Sequence, residues 1–150
     1  MIFFNKKPSI LLVWLNTLIR KVYTFFEKIR WQSYYISINH RFKKFGKSVV
    51  IDYGVQFGGP ENISIGNNVF IGKNAMINAG KGGSIVIDDG AAIGANTTII
   101  TWNLDNLSNQ GLTRSVNKNT FKRVFIGKGV GVGYNVTINP GVVLGEGCEI

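Results

Sequence analysis

The amino-acid sequence predicts an all-β solenoid of short parallel strands preceded by a basic helical arm, and three observations carry that prediction. An aliphatic residue returns every sixth position at Ile65, Ile71 and Ile77, at Ile87, Ile93 and Ile99, and at Ile126, Val132, Ile138, Leu144 and Ile150. Three positions after the anchors stand Asn68, Asn74, Gly80, Gly90, Asn96, Trp102, Gly129, Asn135, Gly141 and Gly147. All but Trp102 are Asn or Gly, the residues that enter positive φ at least cost. Charge is segregated: residues 1–47 hold ten Lys/Arg and one acid, Glu27, whereas the rest hold seven of each. The net charge of +9 therefore belongs to the N-terminal segment.

A fixed period with an inward aliphatic and a forced turn is the mark of a solenoid. An amphipathic helix needs a different spacing, and a Gly or Asn in every turn would destabilise it by about 0.5–1 kcal/mol each. A meander would show strands of uneven length joined by hairpin turns. A glycine-rich loop would not hold its glycines in phase with isoleucines.

In chain order, residues 1–47 form the arm and residues 48–150 the solenoid. Ser9, after Pro8, is a candidate N-cap, and Leu11, Leu15, Leu18, Val22, Phe26 and Ile29 recur at helical spacing. The longest nearly apolar run, Ile10 to Ile19, reaches about 15 Å as helix, half of a bilayer's hydrocarbon core. It does not span. Two readings of its apolar stripe stay open: a cap on the N-terminal end of the solenoid, or contact with an anionic membrane surface. No nucleic-acid recognition motif accompanies the arm's charge.

Three six-residue units make one triangular coil, giving coils at 65–82, 87–104 and 126–143, with a partial one around Ile51, Val55 and Phe57. Side chains four after the anchors are small: Val69, Ala75, Ala91, Thr97, Val130, Val136, Val142 and Cys148. Cys148 is the single cysteine, so no disulfide framework exists, and a cytoplasmic setting is expected, peripheral on the inner membrane face if the arm binds there. From Trp102 to about Arg123 the beat disappears behind a polar segment rich in Asn, and a loop of that length inside a compact fold is a functional candidate.

The stretches Ile65-Gly66-Asn67-Asn68-Val69-Phe70-Ile71-Gly72, Ile93-Gly94-Ala95-Asn96-Thr97-Thr98-Ile99 and Ile126-Gly127-Lys128-Gly129-Val130 resemble the hexapeptide-repeat acyltransferases. The run from Val132 to Val142 (Val-Gly-Tyr-Asn-Val-Thr-Ile-Asn-Pro-Gly-Val) is close to that family's signature coil. The narrower likeness is to the maltose, galactoside and surface-polysaccharide O-acetyltransferases. The resemblance implies a left-handed β-helix, a homotrimer, and acetyl-CoA-dependent transfer to a sugar hydroxyl of a surface polysaccharide or its precursor. It also implies a histidine base at the start of the loop, where it would take the proton of a weakly nucleophilic hydroxyl.

That position falls on Asn103 or Leu104, and residues 41–150 contain no histidine, so no intact catalytic residue is expected. His40, beside Arg41, is read as a surface or packing residue. By the same resemblance Asn103 and Asp105 face the acceptor, and Gly133, Tyr134, Asn135, Asn139 and Gly141 face the acetyl-CoA arm; no metal is implied. The sequence stops on an anchor, Ile150, in mid-coil, and the expectation is a truncated, impaired enzyme. A non-catalytic trimeric scaffold and a membrane-surface binding module are the alternatives. A metal-dependent β-helix enzyme would need several histidine ligands, and an ice-binding array would need aligned threonine ranks.

Overall fold

The computed structural model describes residues 9–102 and 121–150. The chain divides between Ser37 and Ile38 into two units. In the first, a single helix, α1 (Ile10–Ile38), starts where Ser9 is placed to cap it: the Leu12 amide donates to Ser9 Oγ (3.4 Å) and the Val13 amide to the Ser9 carbonyl (3.1 Å). Its C-terminal third carries mutually contacting rings of Trp31, Tyr34 and Tyr35.

The second unit opens with a 3₁₀ turn, Asn39–Arg41, and then winds as a left-handed parallel β-helix. Its first strand lies within the segment that the sequence pattern joined to the arm. The first coil holds β1 (Lys44–Phe45), β2 (Val50–Ile51) and β3 (Gln56–Gly58), and the second β4 (Ile63–Ile65), β5 (Phe70–Ile71) and β6 (Met76–Asn78). The third holds β7 (Ile85–Ile87), β8 (Ala92–Ile93) and β9 (Thr98–Ile100), and the fourth β10 (Val124–Ile126), β11 (Gly131–Val132) and β12 (Thr137–Ile138). β13 (Val143–Leu144) begins a fifth. Three parallel sheets result: face I with β1-β4-β7-β10-β13, face II with β2-β5-β8-β11, and face III with β3-β6-β9-β12.

The six-residue beat is the register of these sheets. Phe45, Ile65, Ile87, Ile126 and Leu144 pair in one column. Ile51, Ile71, Ile93 and Val132 form the second, and Phe57, Ile77, Ile99 and Ile138 the third. From Ile65 to Ile126 these anchors are fully buried, each contributing about 1.5–3 kcal/mol of transfer free energy. Phe42, partly buried, packs on the N-terminal end of this core and meets the rings of Phe45 and Phe57 edge to face or tilted.

Each coil turns at three corners. Between faces I and II the connections are 46–49, 66–69, 88–91, 127–130 and 145–148, and between II and III they are 52–55, 72–75, 94–97 and 133–136. Every one has the same length. Positive φ occurs there at Ser48, Gly54, Asn68, Asn74, Gly90, Asn96, Gly129, Asn135 and Gly147. At the third corner the connections vary: 59–62, 79–84, 101–123 and 139–142. All the irregularity of the solenoid is collected on that edge.

Two predictions follow from the regular corners. Asn96 holds φ 58° and its Oδ1 accepts from Asn74 Nδ2 at 3.4 Å; Asn96→Ala keeps a β-carbon in the left-handed backbone but removes the side-chain amide that offsets its strain, lowering stability by about 1–2 kcal/mol, whereas Asn96→Gly relieves the strain and stays near wild type in urea unfolding. At the I–II corner the Asn67 amide donates to Asp89 Oδ1 at 2.7 Å. That backbone bond, the Asn67 side-chain amide, and the charges of Lys44 and Lys128 hold the Asp89 carboxyl below its ordinary range. Its contribution is therefore full above the unfolded-state pKa and is lost as pH falls through the depressed folded-state pKa. Thermal melts from neutral pH to about pH 2.5 should show wild type and Asp89→Asn differing most at neutral pH and converging in acid.

Candidate active-site corner

The chain leaves face III after β9 and rejoins face I at β10, and the described ends of this connection, 101–102 and 121–123, lie beside the 79–84 connection of the coil before it. Gly80, Gly82 and Gly83 make a ledge there that has no room for side chains. A β-carbon at Gly80 would lie 2.7 Å from Phe121 and 2.9 Å from Trp102, and one at Gly82 would lie 2.8 Å from Phe121. At Gly83 it would meet Thr101 Oγ1 at 2.3 Å. Gly80 is thus in phase with the beat for a different reason from the other glycines: it has no positive φ, and its place is set by the rings seated on it.

The neck of the excursion is tied by hydrogen bonds. The Lys122 amide donates to the Thr101 carbonyl (2.9 Å), the Thr101 amide to the Asn78 carbonyl (3.3 Å), and the Val124 amide to the Ser84 carbonyl (2.9 Å). Thr101, fully buried, accepts from the Gly80 amide at its Oγ1 (3.0 Å). Thr97, the other buried polar side chain among the described residues, donates to the Gly133 carbonyl at 2.9 Å and so joins the coils before and after the excursion.

Beside the neck, Lys122 lies with its Cδ 3.0 Å from where a Gly141 side chain would begin. A shallow cavity of about 350 Å³ on face I is lined by Arg123, Phe125 and Val143, with the Arg123 guanidinium 5.4 Å from the Phe125 ring centre. These residues were not singled out from the sequence. Their only signal is the cation–aromatic alternation where the beat resumes, and the ledge is foreshadowed only by the off-phase glycines at 82 and 83.

The residues assigned to the acetyl-CoA arm divide between two corners. Gly133, Tyr134 and Asn135 lie at the II–III corner, where Tyr134 is exposed, and Asn139 and Gly141 lie at the III–I corner next to Lys122. Strand β12 separates the groups. Asn103, Leu104 and Asp105 lie outside the described residues. His40 is exposed in the 3₁₀ turn before the first coil, away from the excursion edge of the third and fourth coils. Among the described residues no group of three or more His, Cys, Asp or Glu is arranged to hold a metal ion.

No protein-family model matches the chain. A dTDP-4-amino-4,6-dideoxy-D-glucose acyltransferase of Escherichia coli is 31% identical over 132 residues, covering 73% of this chain and 69% of that protein. Among solved structures, the chain is similar to a serine-to-cysteine mutant of AntD, an N-acyltransferase from Bacillus cereus in complex with dTDP-4-amino-4,6-dideoxyglucose and coenzyme A. That match has a TM-score of 0.58 and 25% identity, over 79% of this chain and 73% of that chain. A serine-to-threonine mutant of AntD with dTDP and coenzyme A gives 0.51 and 26%, over 72% and 69%.

The neck itself is testable. Thr101→Val keeps the shape and leaves the half-buried Gly80 amide without its acceptor, which costs about 1 kcal/mol. Denaturant unfolding should register that loss, hydrogen exchange should quicken at Gly80, and Thr101→Ser should restore both.

Proposed function

The chain belongs to the hexapeptide-repeat sugar acyltransferases, and from that premise we propose that it transfers an acyl group from acyl-CoA to the amino group of a nucleotide-linked amino sugar. The observation that carries this reading is the conjunction of an amino-sugar acyltransferase as relative with a solenoid whose residues 41–150 contain no histidine. A hydroxyl acceptor needs a base near neutral pKa to attack a thioester. An amine does not: with a pKa in the region of 8, about a tenth is neutral and nucleophilic at pH 7. The histidine position occupied by Asn103 or Leu104 then ceases to be a defect.

In this reading the neutral amine nitrogen attacks the thioester carbonyl carbon. The C–N bond forms, the C–S bond breaks, and the departing thiolate takes up the proton released by the acylated nitrogen, leaving an amide and coenzyme A. Asn103 and Asp105 are the acceptor-facing residues, and Asp105 can hold the ammonium form by charge before it loses its proton. Gly133, Tyr134, Asn135, Asn139 and Gly141 are assigned to the acyl-CoA arm, with acetyl-CoA as the donor. Arg123, the residue after Lys122, carries a guanidinium suited to a diphosphate. The proposal includes a homotrimer, for which the exposed Val143 and Tyr134 on the outer surface of the coils offer apolar contact, and a product that enters surface-polysaccharide assembly.

The test is acyl transfer by the full chain from acetyl-CoA to dTDP-4-amino-4,6-dideoxyglucose, with the sugar product followed by mass. The expected outcome is an amide product whose rate rises about tenfold per pH unit below the amine pKa and levels above it. Product from the 4-hydroxy counterpart at equal or greater rate would overturn the amine reading. Absence of both product and any coenzyme A-dependent rise in melting temperature would leave the scaffold reading in its place.

A further inference from the structure

The helix α1 carries an apolar face that its own unit leaves exposed. Residues advance by about 100° each, which lines up Leu11, Leu15, Leu18, Val22, Phe25 and Ile29 as a spine, with Leu12, Ile19 and Phe26 widening it on one side. All are exposed; Leu18 is 59% and Phe26 63% accessible. The face turned away from these residues presents Arg20, and Lys21 and Lys28 stand on the flank across the spine from Leu12, Ile19 and Phe26. Thr17 and Thr24 there turn their hydroxyls back onto the carbonyls of Val13 and Arg20. The one acid of the helix, Glu27, is held by Arg30 at 2.8 Å, so the remaining charge of this face is positive.

The spacing of the spine, alternately four and three residues, could also be read by a second copy in a coiled coil. The flanks argue against that occupant. Coiled-coil flanks carry complementary charges that set pairing; here one flank is Leu12, Ile19 and Phe26, and the other contains Lys21 and Lys28. Parallel copies would set the Lys21 and Lys28 flank of one helix against the apolar Ile19 and Phe26 flank of the other, and antiparallel copies would set lysines against lysines with no acid to answer them. A surface that is apolar below and anionic above answers both halves of the helix at once. Among the described residues no helix is long and apolar enough to cross a membrane.

We propose that α1 lies in the plane of an anionic phospholipid bilayer, with the Leu11–Ile29 spine among the acyl chains and Arg20, Lys21 and Lys28 at the headgroups. This surface is independent of the acyl-transfer reading.

The experiment is sedimentation of the full chain with vesicles of phosphatidylcholine alone and of phosphatidylcholine with phosphatidylglycerol, at low and high salt. Binding is expected only to the anionic vesicles and should weaken with salt. Neutralising Arg20→Gln, Lys21→Gln and Lys28→Gln together should lower partition roughly 100-fold, since each basic residue near the surface is worth about fivefold. Leu15→Gln with Val22→Gln, glutamine being a good helix former, should lower it at least tenfold while the melting of the solenoid stays unchanged. Equal binding to neutral vesicles, no binding, or a neutralised variant that binds like wild type would overturn the proposal. So would an apolar-face variant that dissociates an oligomer in sedimentation velocity while vesicle binding is unchanged.

Discussion

A solenoid wound this tightly must reverse its direction at the same place in every coil, and the backbone does so by entering the left-handed region at Asn68, Asn74, Asn96 and Asn135, and at Gly90, Gly129 and Gly147. Glycine has no β-carbon to clash in that conformation, and asparagine offsets the clash with local hydrogen bonds from its short amide. The rest of the architecture hangs on this repeated concession. Because every regular corner spends the same length of chain, the anchors of successive coils come into register and the isoleucine columns close. Because the columns close, strands of two or three residues, too short to persist alone, become continuous sheets.

The same constraint explains how much was legible in the sequence. A period shared by anchors and turn residues is a global signal, and it carried the solenoid, its register and the location of the interruption. The N-terminal limit was less visible: Phe45, Ile51 and Phe57 keep the six-residue beat, but aromatics replace two of the isoleucines and the connection holding the 3₁₀ turn Pro60–Asn62 lengthens the step to the next anchor, Ile65, to eight residues. Contacts at the interruption were not legible at all. Gly80 was counted as one more turn glycine, whereas its work is to admit Trp102 and Phe121, and that depends on a residue forty positions away in sequence having been brought across the coil. Arg123, Phe125 and Val143 were equally hidden, because they meet only through the pairing of β10 with β13.

The absent histidine changes meaning with the acceptor. Set against a hydroxyl, a loop without a base reads as decay. Set against an amine, the nucleophile brings its own lone pair and the loop is left with binding and orientation. Electrostatic chemistry, more than sequence distance, separates the two readings.

Along one edge of the prism the chain spends 59–62, 79–84, 101–123 and 139–142 on what is topologically the same connection, yet Ile65 still stands over Ile87, Ile87 over Ile126, and Ile126 over Leu144. The pitch of the screw is indifferent to what is hung on that edge. With Lys122 bonded to Thr101 at the mouth, an insert of any length presents the core with the same two ends. Such an edge works as a socket: recognition loops can be lengthened, shortened or exchanged there while the screw beneath them keeps turning unchanged.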